Sequence, residues 1–219
     1  MTQLRLPLGL EPDADEAGFI VTEANARAVH LLEHWSAWPV MAALLVGPPR
    51  SGRTRLARIF AARTGGTVID DAEGVEEAAI FHAWNTAQRE HKPLLIIASA
   101  PPPEWQVSLP DLRSRLAATP VLRIGPPDDA LVEGLLRQAF DRHMLYAGPE
   151  FFNWLAQRAD RSYEAVDRIA DRLAAEALLR GVTRITVPFA RAALSQEGLL
   201  HAAGRADRGA DVEDQGDAQ

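Results

Sequence analysis

The residues best suited to chemistry lie in one short stretch, Gly47 to Thr54, which reads GPPRSGRT. An apolar run precedes this stretch and apolar residues at helical spacing follow it, so the pattern predicts a strand, a phosphate-binding loop and a helix. Glycines in such a loop let backbone N–H groups turn toward a phosphate, and the positive end of the following helix dipole points at the same anion. The alternative is a glycine-rich turn that binds no ligand.

The side chains of the loop predict a nucleotide site with one unusual feature. The hydroxyl of Thr54 is placed to bind Mg²⁺, and Arg53 is placed to meet the β and γ phosphates. Arg53 stands where such loops usually carry lysine, and its wide planar guanidinium differs from a compact ammonium group. We therefore expect nucleotide binding without fast turnover. The predicted cofactor-binding residues are Gly47, Pro48, Arg50, Ser51, Gly52, Arg53, Thr54 and Arg55.

Three more residues are candidates for catalysis. Asp70 and Asp71 follow a short apolar run, Thr67 to Ile69. Carboxylates at the end of a strand beside a phosphate loop manage the metal ion and the attacking water, so Asp70 is predicted to hold Mg²⁺ through water and Asp71 to orient the nucleophile. A simple turn is the alternative. Arg115 is a candidate arginine finger for a neighbouring molecule's γ-phosphate, or alternatively a solvated charge.

Composition limits the class of protein. The chain has 219 residues, a net charge of −7 and no cysteine, which allows one α/β domain with a small satellite and excludes a disulfide framework. The acidic balance argues against broad binding to DNA phosphates, which needs clustered basic residues. No signal peptide and no apolar run of membrane-spanning length is found, so we expect a cytoplasmic protein without membrane contact. His30 and His34 share a helix face, but without a third ligand we predict no metal site there.

The order of patterns predicts an α/β fold followed by helices only. Four parallel strands are expected near Leu44, Val68, Ile96 and Leu122. The apolar residues Phe19 to Val21 are expected beside the phosphate loop. We divide the chain into an extended peptide and linker (1–15), a nucleotide-binding α/β domain (16–126), a helical lid domain (127–200) and a disordered acidic tail (201–219).

The N-terminal hexapeptide has a pattern of its own. It reads QLRLPL, and its leucines alternate so that in an extended chain they point the same way. Such a peptide suits a groove on a partner protein. The alternative is an arm that packs on its own domain.

These motifs in their order resemble a known family. GPPRSGRT, VIDDAE, LLIIAS, PDLRSRL, IGPPDDALVEGLL and ITVPFARAAL look like the AAA+ module of the replication initiator DnaA, and are more similar still to the shorter, DnaA-related Hda family. The resemblance spans about residues 19–200, and the hexapeptide matches the clamp-binding peptide of Hda proteins. The residues matched to that peptide are Gln3, Leu4, Leu6, Pro7 and Leu8.

The resemblance implies regulation of replication initiation. It implies an AAA+ parallel sheet of about four strands with a helical lid, and ADP (or ATP) with Mg²⁺ as cofactors. The partners implied are the β sliding clamp, which supplies contact with DNA indirectly, and ATP-bound DnaA, whose hydrolysis Arg115 promotes in trans. Whether the chain forms a homodimer is left open.

Some positions depart from the family pattern. Ser99 is the only polar candidate at the sensor 1 position, and Ala165 stands where the lid carries a sensor 2 arginine. Between Thr54 and Asp70 there is room for only one helix and one strand, so either an outer strand has been deleted or the strand that carries the metal carboxylate is missing. We favour the deletion. Two rival functions remain, an intrinsic AAA+ ATPase such as a helicase loader and a clamp-binding scaffold with a dead nucleotide pocket.

Overall fold

A computed structural model describes residues 18–195 and 199–200. The predicted clamp-binding residues and the predicted acidic tail lie outside these described residues. Within them, no helix has both the length and the apolar character needed to cross a lipid bilayer.

A four-stranded parallel sheet forms the centre of the first part of the chain. Its strands are β1 (Ala42–Val46), β2 (Thr67–Ile69), β3 (Leu94–Ala98) and β4 (Val121–Arg123), in the order β2-β3-β1-β4. Leu44 of β1 pairs with Ile96 of β3, which also pairs with Ile69 of β2. Every residue of β1 and β3 is buried, as continuous apolar runs in a parallel sheet require. The prediction of four parallel strands at these places is confirmed.

Helices cover both faces of the sheet. α1 (Glu23–Glu33) and α2 (Arg53–Thr64) pack on one face, while α3 (Glu77–Glu90) and α4 (Pro110–Ala117) pack on the other. Alternate strand residues face each layer because side chains point to opposite sides along a strand. Leu45 and Ile97 therefore contact the α1 and α2 layer, and Leu44 and Ile96 contact the α3 and α4 layer.

The last part of the chain is helical and has its own apolar core. It contains α5 (Asp129–Arg142), α6 (Pro149–Ala156), α7 (Tyr163–Arg180) and α8 (Val187–Leu194). Phe140, Phe151 and Phe152 meet in its centre with ring centroids 5.1 to 5.6 Å apart. The side chains of Asp128 and Ser162 cap α5 and α7, as their positions in the sequence predict. The expected α/β sheet followed by helices is therefore confirmed.

A group of hydrogen bonds just after β4 joins the two parts. The Gly125 N–H donates to the Ala24 carbonyl at 2.8 Å, and the Ala24 N–H donates to the Asp128 carboxylate at 3.1 Å. The Tyr163 hydroxyl at the start of α7 donates to the Gly125 carbonyl at 3.1 Å. Burial opposes ionisation of Asp128, but backbone hydrogen bonds, the first of them from Leu131, outweigh it and lower its pKa.

Tyr163 belongs to the apolar core around the sheet although it lies on a helix of the second part. Its ring is buried, and this burial, together with the charge of Asp128, raises the pKa of Tyr163 to about 12. The neutral phenol is therefore the form that stabilises the junction.

Replacing Tyr163 by phenylalanine tests this contact. Tyr163→Phe leaves the Gly125 carbonyl without this partner, so we expect the free energy of unfolding to fall by about 1 kcal/mol in urea titrations. The matched control is Tyr146→Phe, since Tyr146 is 67% exposed.

The raised pKa of Tyr163 adds a pH test of the same contact. The Tyr163 contribution is fully present below the unfolded-state pKa of about 10 and is lost as pH rises toward about 12. A Tyr163→Phe variant with unchanged stability would contradict the role of this hydroxyl.

Candidate phosphate-binding site

The phosphate loop connects the end of β1 to the start of α2 and packs tightly against Ile124, the residue after β4. A Cβ atom at Gly47 would lie 2.9 Å from the Ile124 carbonyl oxygen and 3.0 Å from Ile124 Cβ. Gly52, the residue before α2, has a φ of +84°, a conformation that glycine adopts without strain. Glycine is thus required at position 47 by the close approach of the Ile124 backbone, and at position 52 by the positive φ angle.

The loop presents the donors that an anion site needs. The first hydrogen bond within α2 runs from the Leu56 N–H to the Gly52 carbonyl, so the N–H groups of Arg53 and Thr54 have no acceptor inside their own helix. The Ser51 hydroxyl is buried and has no hydrogen-bond partner among the described residues. Free N–H groups at a helix N-terminus together with a buried unpaired hydroxyl fit a phosphate group.

Arg53 does not extend freely into this space. Its guanidinium Nη1 donates to the Ala98 carbonyl at the end of β3. A guanidinium carries five N–H donors, so further donors of Arg53 remain for a phosphate while this bond ties the start of α2 to the neighbouring strand. A lysine ammonium at the same place would be a mobile point charge instead.

The other two arginines predicted to bind nucleotide have protein partners. Arg50 is exposed, and its Nη1 lies 2.8 Å from Oδ2 of Asp167 on α7. The hydrogen bond and charge of Asp167 raise the pKa of Arg50. Arg55 Nη1 donates to the Gly18 carbonyl at 3.3 Å. Arg50 therefore links the loop to the helical part, and Arg55 holds the segment that precedes α1.

That segment forms an apolar wall beside the loop. The Gly18 carbonyl also accepts from Gln138 Nε2 of α5 at 2.7 Å. The Phe19 ring lies 3.2 Å from where a Cβ at Gly52 would be, and Ile20 Cδ1 lies 2.7 Å from where a Cβ at Gly134 would be. Phe19 and Ile20 thus lie between the phosphate loop and α5 and form an apolar surface beside the loop.

The two aspartates lie at the edge of the sheet. Asp70 and Asp71 are exposed, and the Asp71 N–H donates to Asp70 Oδ1 at 3.0 Å. β2 is separated from β1 by β3, which puts Asp70 about 10 Å to the side of the strand that leads into the phosphate loop. The binding of Mg²⁺ by Thr54, with Asp70 bound through water, stays a prediction.

A third carboxylate near this edge was not anticipated. Glu73 Oε1 accepts from the Ser99 N–H at the end of β3. Because β2 pairs directly with β3, Asp70, Asp71 and Ser99 lie at adjacent strand ends. This adjacency favours the interpretation that an outer strand has been deleted. The sequence carried no signal for Glu73, since one acidic residue in a turn has no distinctive pattern.

The helical part of the chain has alanine at the position where the family pattern has the sensor 2 arginine. Ala165 is buried in the first turn of α7, and its N–H is bound by the Ser162 cap. Nearby Arg161 lies 3.2 Å from Asp129 of α5. The residue of α7 that does contact the loop is Asp167, an acid rather than a base.

Arg115 lies on the other side of the sheet from α2. Its guanidinium carbon is 4.3 Å from the centroid of the Phe81 ring and 5.3 Å from that of Trp84. Its Nε donates to Asn85 Oδ1 at 3.1 Å. The Thr119 hydroxyl donates to the Arg115 carbonyl and accepts from Trp84 Nε1. Arg115 is thus a half-buried cation with a fixed position on α4, facing α3.

Comparison with known structures identifies the class of fold. Domain III of the Thermotoga maritima replication initiation protein DnaA matches with a TM-score of 0.66 at 15% identity, covering 82% of this chain and 95% of that one. The Thermotoga maritima RuvB Holliday junction branch migration motor matches with a TM-score of 0.60 at 16% identity, covering 84% and 71%. A replication initiator DnaA bound to AMPPCP and single-stranded DNA gives 0.56 at 15% identity, covering 71% and 62%. The chain has the AAA+ fold.

Sequence comparison finds a relative within this class of fold. The chain is 25% identical over 134 residues to the chromosomal replication initiator protein DnaA of Nautilia profundicola, a match that covers 59% of this chain and 31% of that protein. It therefore spans about a third of the length of this relative. No protein-family model matches the chain. Homology to DnaA holds over this part of the chain, whereas membership of the Hda family stays a prediction.

Adding one methyl group at Gly47 tests the phosphate site. Gly47→Ala pushes the loop away from the rigid backbone at Ile124, so we expect affinity for a fluorescent ADP analogue to fall by about tenfold or more. The control is Gly148→Ala, since a Cβ there meets nothing within 4 Å and the backbone φ is −71°. Equal affinity of the two variants would contradict the assignment of this loop.

Proposed function

We propose that this chain regulates replication initiation by promoting hydrolysis of ATP bound to DnaA, while its own pocket holds ADP. Support for the pocket comes from the N–H groups of Arg53 and Thr54 at the start of α2, the buried Ser51 hydroxyl and the apolar wall formed by Phe19 and Ile20. Thr54 would hold Mg²⁺, with Asp70 bound through water. In this proposal residues 16–126 act as the nucleotide domain and residues 127–200 as the lid.

The observation that carries the proposal is the setting of Arg115. α4 and α2 pack on opposite faces of the sheet, so Arg115 serves a phosphate outside its own loop more readily than the one inside. Stacking on Phe81 and Trp84 and the hydrogen bond to Asn85 fix the guanidinium before any partner arrives. A positioned arginine of this kind stabilises charge on a transferring γ-phosphate and is worth about 10³ to 10⁵ in rate.

Homology to DnaA names the partner in this proposal. AAA+ domains related in sequence can present surfaces of matching shape, and DnaA is the relative whose sequence this chain matches. Contact with DNA would come through the β sliding clamp, which the peptide Gln3 to Leu8 would bind. The net charge of −7 fits recruitment by a protein rather than direct binding to DNA.

Two features favour a regulator over an intrinsic ATPase. Arg53 is bonded to the Ala98 carbonyl, and the lid has Ala165 where a sensor arginine would stand. The first restricts the positions that the Arg53 cation can take, and the second removes a cation that could stabilise the γ-phosphate during transfer. A scaffold with a dead pocket is the other rival, and the nucleotide that copurifies with the protein separates the three. Retained ADP without turnover supports the regulator, turnover supports the ATPase, and an empty pocket supports the scaffold.

Substitution of Arg115 tests the proposed activity. Arg115→Ala should reduce stimulation of ATP hydrolysis on DnaA by at least about a hundredfold, measured as phosphate release with the clamp loaded on DNA. Clamp binding and the variant's own ADP affinity should not change. Arg113→Ala is the matched control, because Arg113 lies on the same helix and donates to the Val107 and Ser108 carbonyls. Full stimulation by Arg115→Ala would refute the finger.

Removal of the N-terminal peptide tests recruitment separately. Deleting residues 3–8 should abolish capture on clamp-loaded DNA in a pull-down while leaving the circular dichroism spectrum and ADP affinity unchanged. Replacing Arg5 alone by alanine is the control, since the proposed contacts are made by Gln3 and the three leucines with Pro7. Unchanged capture by the deletion variant would show that the clamp is not the partner of this peptide.

A further inference from the structure

The exposed face of α1 carries three metal-binding side chains in its last turn. His30, Glu33 and His34 follow the spacing i, i+3 and i+4, which places residues next to one another on a helix surface. Each offers one ligand atom, and these three atoms all lie within 4.8 Å of one another. The sequence suggested only the histidine pair. The structure adds Glu33 as the third ligand.

The ring of His34 is already oriented for binding. Its Nδ1 lies 2.9 Å from the His30 carbonyl oxygen. A carbonyl can only accept, so Nδ1 carries the hydrogen and the lone pair is on Nε2. A ligating histidine commonly has its other ring nitrogen bound to a backbone carbonyl in this way. The His30 and His34 ring centroids are 4.3 Å apart, so the two imidazoles already lie side by side.

We propose that His30, Glu33 and His34 form a surface site for one zinc-class divalent cation. Two imidazole nitrogens and one carboxylate oxygen suit Zn²⁺, whereas Mg²⁺ and Ca²⁺ prefer sites made of oxygen alone. Tetrahedral zinc needs ligand atoms about 3.4 Å apart, and exposed side chains reach this separation by small rotations about their χ angles. Water fills the fourth position.

The position of the site in the fold supports a dication. Glu33 and His34 lie at the C-terminal end of α1, where the helix dipole favours positive charge. Ala28, Val29 and Leu32 are buried on the opposite side of this helix, which fixes its ligand-bearing face toward solvent. The binding energy would therefore strengthen the end of α1 without moving its packed side.

The site is distinct from the phosphate loop. The first turn of α1 lies beside the end of β4 through the Ala24 carbonyl, and the helix extends over 11 residues, about 16 Å, away from there. After α1 the chain leads to Ala42, which is the N-terminal residue of β1. His34 consequently lies near the N-terminal ends of the strands, whereas the loop follows the C-terminal end of β1. The proposed ion therefore cannot serve as the nucleotide's magnesium.

Titration of the full-length protein with zinc tests the site. Isothermal titration with ZnCl₂ should find one tight equivalent, and the thermal midpoint should rise as zinc is added. His30→Ala and His34→Ala should each weaken binding by about tenfold or more, because each removes one of three ligands. Glu33→Gln should also weaken it. MgCl₂ in place of zinc should give no such binding.

His82→Ala is the matched control, since His82 is an exposed histidine on another helix, α3. It should bind zinc as the wild-type protein does. Circular dichroism without metal checks that each variant keeps its helices. Wild-type zinc affinity in the His30→Ala and His34→Ala double variant, or an equal loss in His82→Ala, would overturn the proposal. Neither result would bear on the phosphate loop or on Arg115.

Discussion

The hydrogen bonds around Gly125 are the constraint on which the arrangement of the site depends. One short segment after β4 binds the first turn of α1 through Ala24 and the first turn of α7 through Tyr163. Asp128, three residues later, caps α5 and also binds Ala24. These bonds are partly buried, so breaking one leaves a polar atom with restricted access to water, at a cost in stability. A small number of hydrogen bonds therefore fixes the position of the sheet relative to the helices that follow it.

This fixed relative position explains why the phosphate loop contacts both parts of the chain. Asp167 lies on the same helix as Tyr163, one turn further along, so fixing the start of α7 brings its carboxylate to Arg50. Gln138 lies on the helix that Asp128 caps and reaches the Gly18 carbonyl. Exposed ion pairs of this kind contribute little stability. Their effect is geometric, since they fix the positions of Arg50 and of the segment at Gly18 relative to α7 and α5.

Local patterns in the sequence were sufficient for the elements but not for these contacts. The strands β1 and β3 are continuous apolar runs, and the caps Asp128 and Ser162 precede helical periodicity, so each is readable from a few neighbouring residues. Arg50 and Asp167 are 117 residues apart, and neither has a pattern that indicates the other. The same holds for Arg115, whose position in the sequence suggested a finger but gave no sign of Phe81 and Asn85 beneath it. The contacts of such side chains arise from tertiary packing, and the periodicity of the sequence does not predict them.

Arg53 and Arg115 each donate to a backbone carbonyl, and Arg115 also stacks on two aromatic rings. Arg53 is tied to a backbone carbonyl of its own sheet, so part of its hydrogen-bonding capacity is used inside the pocket. Arg115 is held by its contacts with the Phe81 and Trp84 rings, by the Nε bond to Asn85 and by a 3.3 Å bond from Nη1 to the Asp111 carbonyl. A cation stacked on aromatic rings keeps its in-plane donors available. In the proposed function, the guanidinium that acts on the partner's phosphate is therefore the one on α4, on the face of the sheet opposite α2.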